Sequence, residues 1–430
     1  PRWAGLTYGL LGFPLAFVAL PLYVLLPHHY AQNHGLPLTT LGLVLLCARA
    51  LDALVDPWLG RWIDRLFARS LQAVWRTGCW AALVLGLGLW GLFLPPVPPG
   101  GAMVAWAFGG LWVTYLAYSV LSIAHQSWGA RLGGGEAQRG RVVAWREGAG
   151  LLGVLVAAAL PGLAGTDGLL LVFAGALALG CWAWWHSPRP APVATVLARP
   201  DGPKVQPWRN AAFRRLMAVF VVNGVATAIP ATLVLFFIQD RLQAPADYQS
   251  YYLGGYFMAA ALALPLWMRG VARWGLARTW LLGMALSVLA FVGAAFLGAG
   301  DTVGFAWVCA LSGFALGADL ALPAALLAGV IGQSGDSGQH EGAYFGWWNL
   351  ATKLNLALAA GVVLPLLSLW GYQPGQTNAA GLQALTWAYA VVPCGLKTLA
   401  AAVLYVGVIR PGGFGPVAPR RSLHPMPEVP

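Results

Sequence analysis

The sequence predicts an all-α, polytopic membrane protein of twelve transmembrane helices, arranged as two six-helix bundles. Three observations carry that expectation. Of 430 residues, 59% are hydrophobic and only 9% are charged, where a soluble domain carries about 25% charged residues. The apolar residues collect in twelve runs, each near the ~20 residues a helix needs to cross the hydrocarbon core. The loops between those runs alternate between basic and nearly free of Lys and Arg. Such a composition argues against a cytosolic enzyme, a disordered chain or a nucleic-acid binder. The excess of 25 Lys+Arg over 14 Asp+Glu then belongs to cytoplasmic loops rather than to a nucleic-acid surface.

Taken in order, the runs are 7–29, 38–56, 73–95, 102–126, 143–165, 168–186, 214–238, 249–268, 279–299, 303–330, 343–370 and 382–409. Each is continuously apolar, unlike the alternating segments of about ten residues that build a membrane barrel. One set of connections holds Arg61, Arg65 and Arg69, then Arg131, Arg139 and Arg141, then Arg189, Arg199, Lys204 and Arg209, then Arg269, Arg273 and Arg278. The other set is short and almost uncharged, at 30–37, 96–101, 166–168, 300–302 and 371–381, with Arg241 as its exception. The positive-inside rule predicts both termini in the cytoplasm of a plasma (inner) membrane protein. The connection 331–342 has no Lys or Arg, so its side follows from parity alone.

A Pro-rich basic stretch at 187–213 predicts a cytoplasmic linker between a bundle over 1–186 and a bundle over 214–410. Weak internal symmetry agrees. Asp56-Pro-Trp-Leu-Gly-Arg-Trp-Ile-Asp-Arg65 follows the second run, and Pro265-Leu-Trp-Met-Arg-Gly-Val-Ala-Arg-Trp-Gly275 follows the eighth. Parallel repeats of this kind around a midplane site are a transporter architecture. The tail 411–430, rich in Pro, Gly and Arg, reads as disordered.

Charges inside a membrane span cost about 2.5–3.5 kcal/mol each on insertion scales, and so mark function by default. Arg49, Asp52 and Asp56 stand at i, i+3 and i+7 in the second span, within about 60° of one another on one helix face. Two carboxylates that close repel each other unless a cation sits between them. Arg49 can neutralise one; the other is left for Na⁺ or H⁺, the metal reading being Na⁺ at Asp52 and Asp56. A plain salt bridge is the competing reading. Lys353, mid-span in the eleventh run, could complement these acids across a cavity. Asp319, Lys397 and Glu147 each read as a structural charge that finds a partner in the protein interior, the partners left open. Arg146 and Glu147 begin the fifth span, and adjacent residues point about 100° apart on a helix. They are therefore not expected to pair, leaving Arg146 to face the cavity or snorkel to the interface. Near the end of the fourth span, Ser122-Ile-Ala-His-Gln-Ser-Trp-Gly129 offers His125, Gln126 and Trp128 to a solute, although Trp128 is one of 22 Trp.

Other strings carry less. Gly86–Gly91 and Gly148–Gly153 match GxGxxG inside spans, without the strand–turn–helix setting a dinucleotide needs; small-residue helix packing explains them. His28 and His29 lack an i, i+4 partner for a metal. The five cysteines share no CxxC spacing, which argues against a disulfide framework or zinc site.

The stretch Arg49-Ala-Leu-Asp52-Ala-Leu-Val-Asp56-Pro-Trp-Leu-Gly60-Arg-Trp-Ile-Asp64 resembles the glycoside–pentoside–hexuronide:cation symporters, the melibiose permease group of the major facilitator superfamily. Two further stretches extend the resemblance: Trp128-Gly-Ala-Arg131 through Arg141-Val-Val-Ala-Trp-Arg-Glu147, and Tyr344-Phe-Gly-Trp-Trp-Asn-Leu-Ala-Thr-Lys353. The resemblance implies a cation site at Arg49, Asp52 and Asp56, a cavity arginine at Arg146 and a buried lysine at Lys353. Ser122, Gln126, Trp128 and Asn349 would share in solute contact or coupling. There are departures. No acid precedes Asp52, Ser122 stands about where a sugar-binding acid is expected, and Gln126 stands where a sugar-stacking Trp is expected. Together these readings predict a monomeric secondary transporter with no cofactor beyond its coupling cation and no nucleic-acid partner. Sitting in the lipid bilayer, it would move a sugar, glycoside or related small-molecule solute in symport with Na⁺ or H⁺. The alternatives are proton-coupled efflux of an amphipathic compound and a non-transporting membrane scaffold; no enzyme is expected.

Overall fold

Residues that stop helices set the chain reversals, and the apolar runs between them are helical. The computed structural model describes residues 2–98, 100–191, 206–245, 247–375 and 378–410. Most of the expected linker and the whole of the expected disordered tail lie outside the described residues. Among the described residues the regular structure is helical throughout. The first traverse is built from α1 (Arg2–Gly9), α2 (Gly12–Phe17), a π-helical turn over Pro21–Leu25 and α3 (Leu26–His34). Then come α4 (Leu38–Arg69), α5 (Leu71–Phe93), α6 (Gly101–Arg131) and α7 (Glu136–Trp185). The second half holds α8 (Ala211–Phe236), α9 (Asp247–Trp274), α10 (Leu276–Ala294), α11 (Thr302–Ser334), α12 (Glu341–Leu369), α13 (Ala379–Thr386) and α14 (Val392–Leu404).

The caps follow local chemistry. Ser70 Oγ accepts from Ala73 N at 3.0 Å to begin α5, and Asn210 Oδ1 accepts from Ala212 N at 2.9 Å to begin α8. Within α7, Gly165 adopts φ 64°, ψ −167°, a conformation open to glycine. The chain doubles back there, because residues on either side of Gly165 meet α2. Cβ atoms added at Gly153 and Gly180 would press on Phe13 and Leu11 respectively. Among the described residues, ten helical stretches are long and apolar enough to cross a membrane. The α4 helix is of spanning length but carries Arg49, Asp52 and Asp56, and α7 makes two passes. The twelve traverses expected from the sequence are thereby accounted for.

The two halves meet most closely where α4 lies along α12. A Cβ on Gly60 would overlap the Gly342 carbonyl, and one on Gly346 would lie 3.0 Å from Pro57 Cα. This seam of glycines brings two backbones together, as close helix crossings in membranes require. One buried apolar cluster runs through the first half and into α9–α12, and a second fills the far end of α8, α11, α12 and α13.

Candidate cation and solute site

Asp52 and Asp56 sit one turn apart on α4, directly before Pro57. A proline inside a helix removes the hydrogen bond to the carbonyl four residues earlier, so the helix is locally loosened beneath the two acids. Both carboxylates are buried, and Lys353 from α12 enters between them. Its Nζ is 2.6 Å from Asp52 Oδ2 and 2.7 Å from Asp56 Oδ2. Ser119 on α6 completes the cluster: Lys353 Nζ donates to Ser119 Oγ at 2.8 Å, and Ser119 Oγ donates to Asp52 Oδ1 at 2.8 Å. Asp52 thus has a hydrogen-bond donor as well as an ammonium. Asp56 is held through the same ammonium, a charge-assisted contact at 2.7 Å. Two carboxylates and one ammonium leave the trio with a net charge of −1. Asp56 is the less satisfied acid.

Arg49 does not take the part expected of it. It makes no ion pair among the described residues; its guanidinium stacks on Tyr23, 4.2 Å from the ring centroid. The spacing on α4 is right, but Lys353 occupies the space between the acids, and the guanidinium rests instead on an aromatic face. Trp128 is also placed differently from the solute role proposed for it. It is fully buried, donates Nε1–H to the Pro188 carbonyl at 2.9 Å and packs edge-on against Trp184. Neighbouring His125 is equally enclosed, stacked on Tyr8 with centroids 4.3 Å apart. On α6, one face looks to the cavity and the other to the bundle interior, and composition alone does not tell which residue lies on which.

The remaining residues singled out from the sequence converge on a 320 Å³ cavity between the halves. Arg49, Ser122, Gln126, Arg146, Glu147, Asn349 and Lys353 line it, together with Tyr23, Tyr115, Tyr118, Phe220, Trp348 and Asp319. Gln126 Nε2 donates to Ser122 Oγ at 2.8 Å and reaches Asn349 Oδ1 at 3.4 Å, spanning the two halves across the cavity. Arg146 and Glu147 do pair, contrary to expectation: Arg146 Nε donates to Glu147 Oε1 at 2.9 Å. Their Cα–Cβ bonds diverge, but both side chains are long enough to curl back along the cavity wall. Asp319 and Lys397 form an ion pair at 2.6 Å.

A second polar cluster, not singled out from the sequence, closes one end of the seam. Asp64 caps α12, with Oδ1 accepting from Gly342 N at 2.7 Å and Oδ2 from Ala343 N at 2.8 Å. A carboxylate there complements the positive end of the helix dipole. Arg131 ties it down, with Nη2 2.9 Å from Asp64 Oδ1 and Nε 3.0 Å from Glu341 Oε2. Glu136 at the start of α7 likewise accepts from Leu276 N, which opens α10, at 2.8 Å. Ser119 and this cluster were missed because their partners lie far away in sequence. A partial signal existed for Ser119, three residues before Ser122 and on the same face of α6.

The family described as MFS/sugar transport protein matches residues 5–180 and 205–409 of the chain. The inner membrane symporter YicJ of Escherichia coli (strain K12) is 26% identical over 256 residues, covering 55% of each protein. The chain therefore spans about half the length of that curated relative. Among solved structures, a bacterial homologue of the iron transporter ferroportin in an outward-facing state superposes with a TM-score of 0.66 at 16% identity, covering 94% of this chain and 98% of that one. The E. coli fucose:proton symporter FucP gives a TM-score of 0.61 at 15% identity, covering 91% of this chain and 98% of that one. The human organic anion transporter MFSD10 gives 0.61 at 18% identity, covering 94% of this chain and all, 100%, of that one. At such identities these likenesses establish the shared fold.

Proposed function

Because the chain belongs to the MFS/sugar transport protein family, we propose that it is a secondary transporter. In this reading it couples the movement of Na⁺ or H⁺ to symport of a sugar, a glycoside or a related small organic solute, by alternating access. The observation that carries the reading is Lys353 lodged between Asp52 and Asp56. The trio retains one uncompensated negative charge in a buried place, where leaving a charge unpaired costs several kcal/mol. A coupling cation supplies the missing charge. The hard oxygens of Asp56, Asp52 and Ser119 suit either Na⁺ or a proton. As the cation binds, it competes with the ammonium of Lys353, which also lines the solute cavity. Cation binding and solute binding thereby share one side chain.

The positive-loop argument puts both termini in the cytoplasm. The Asp64–Arg131–Glu341 cluster and the glycine seam then seal the cytoplasmic end of the cavity, and the protein acts as a monomer in the inner membrane. Proton-coupled efflux of an amphipathic compound is the second reading. The Phe220–Trp348 stack on the cavity wall, with centroids 3.6 Å apart, favours it. Reconstituted vesicles with an imposed Na⁺ or H⁺ gradient, screened against sugars, glycosides and uronides, test the proposal. Uptake stimulated by one gradient, and lost in Asp56→Asn, supports symport. Gradient-driven export of apolar dyes with no solute uptake supports the efflux reading instead.

A further inference from the structure

The first half of the protein carries a groove that the solute site does not use. It lies between α5 and the part of α7 that follows Gly165, and measures 710 Å³ against 320 Å³ for the central cavity. At one end the two helices are tied together. Trp75 Nε1 donates to the Cys181 carbonyl at 3.0 Å, and a Cβ added at Gly78 would overlap the ring of Trp184. Along the rest of the groove, Ala82, Gly86, Ala174 and Ala178 stand on the lining. Residues this small cannot reach across to fill it.

The flanks are apolar. Leu83, Leu87 and Trp90 from α5 and Leu171 from α7 border the groove and are exposed. All four fall in the apolar runs 73–95 and 168–186, at hydrocarbon depth, where no water is present to fill a gap. A gap left open forfeits the dispersion contacts of its lining, and a flexible hydrocarbon chain recovers them. From Asp167 to Cys181 the helix rises about 21 Å, which is most of a hydrocarbon core about 30 Å thick. Asp167 is the one charged residue on the described lining, at the end remote from Cys181. It is exposed at the turn between the two passes of α7 and forms no ion pair among the described residues. The adjacent connection 96–101 has no charged side chain.

We propose that this groove holds one acyl chain of a phospholipid whose primary-amine headgroup pairs with Asp167. The chain fills the slot between α5 and the second pass of α7. The ammonium brings the opposite charge to Asp167 together with N–H donors, and charge-assisted hydrogen bonds to a carboxylate are the strong kind. A choline head has the charge without the donors, and an anionic head is repelled. The positive-inside reading puts Asp167 on the non-cytoplasmic side, so the lipid comes from the outer leaflet. A second copy of the chain fits the acid poorly. Its connections on that side hold one arginine, Arg241, whose Nε already donates to the Leu297 carbonyl at 2.9 Å. The inference rests on the chain spanning a bilayer and not on transport, because the groove lies within one bundle, apart from the solute cavity.

The test is native mass spectrometry of the full chain released from vesicles of equal parts phosphatidylethanolamine, phosphatidylcholine and phosphatidylglycerol. The wild type is expected to retain one lipid, with the ethanolamine form favoured about two- to five-fold over each of the others, the range an exposed ion pair allows. Asp167→Asn should bring the three forms to equal retention. Ala174→Trp, which places a ring in the groove, should lose the retained lipid. Asp167 is an exposed turn residue, so its variant keeps the test decisive should Ala174→Trp not fold. A headgroup preference unchanged in Asp167→Asn overturns the proposal. So does a lipid retained equally in Ala174→Trp, or a dimer mass without lipid in the wild type.

Discussion

Lys353 Nζ lies 2.7 Å from Asp56 Oδ2, although the two residues belong to opposite halves of the chain and Asp56 has an arginine, Arg49, on its own helix face. The acids of α4 are balanced across the interface and not along their own helix.

Removing Lys353 should therefore cost more than removing Arg49. Lys353→Met strips the described ammonium from two buried carboxylates, and breaking a buried pair in this way costs about 3–5 kcal/mol. A clear drop in Tm of the purified protein is expected. Adding Asp56→Asn to Lys353→Met should recover most of it, because one buried charge is withdrawn. Arg49→Gln, which orphans no acid, should shift Tm little. Equal losses for the two single variants would contradict this division of roles.

Asp56→Asn should abolish cation stimulation of uptake in vesicles while leaving Tm near that of the wild type. The amide leaves Lys353 facing one carboxylate, Asp52, as a matched pair. Asp52 accepts from Ser119, so Asp52→Asn should cost more stability. Uptake of the identified solute under Na⁺ and H⁺ gradients, with thermal unfolding alongside, checks both statements.

In the proposed reading, the glycine seam holds one end of the cavity closed. Gly60→Ala places a methyl against the Gly342 carbonyl, and neither backbone can give way without parting α4 from α12. The variant should shift the population toward a state open at the Asp64–Arg131 end. Cysteines introduced at Gly338 and Ala68, labelled from the cytoplasmic side, should react faster in the Gly60→Ala background. Unchanged labelling would show that the seam does not control access.

Trp128→Ala should behave as a core truncation. Its ring is fully buried and its N–H is held by Pro188, so a loss of about 3–5 kcal/mol is expected. The KM for solute should stay within a factor of about two in the protein that remains folded. A large rise in KM without loss of Tm would return Trp128 to the solute site.

Several features were legible in the chain itself. Lengths of apolar runs and the distribution of Lys and Arg determined the number of traverses, because the bilayer demands about 20 apolar residues per crossing. The intramembrane charges Arg49, Asp52, Asp56, Arg146, Asp319, Lys353 and Lys397 identified themselves by their cost in lipid. Their pairing was legible only in part: Lys353 was expected to complement the acids of α4 across the cavity, and it does. Helix periodicity places Arg49 and Asp52 on one face, but it does not say that Lys353 enters between the acids in place of Arg49, nor that Tyr23 offers its ring to the guanidinium. Likewise Glu147 reaches Arg146 through side-chain length that the angle between Cβ vectors does not express, and Trp128 turns to Pro188 rather than to the cavity. Ser119, Asp64 and Glu341 gain meaning only once α6, α4 and α12 are packed together. The sequence by itself determined which charges had to be buried and how many helices carry them. Tertiary structure decided how those charges settle, because their contacts depend on through-space distances of a few ångströms between side chains on different helices, which spacing along one helix does not fix.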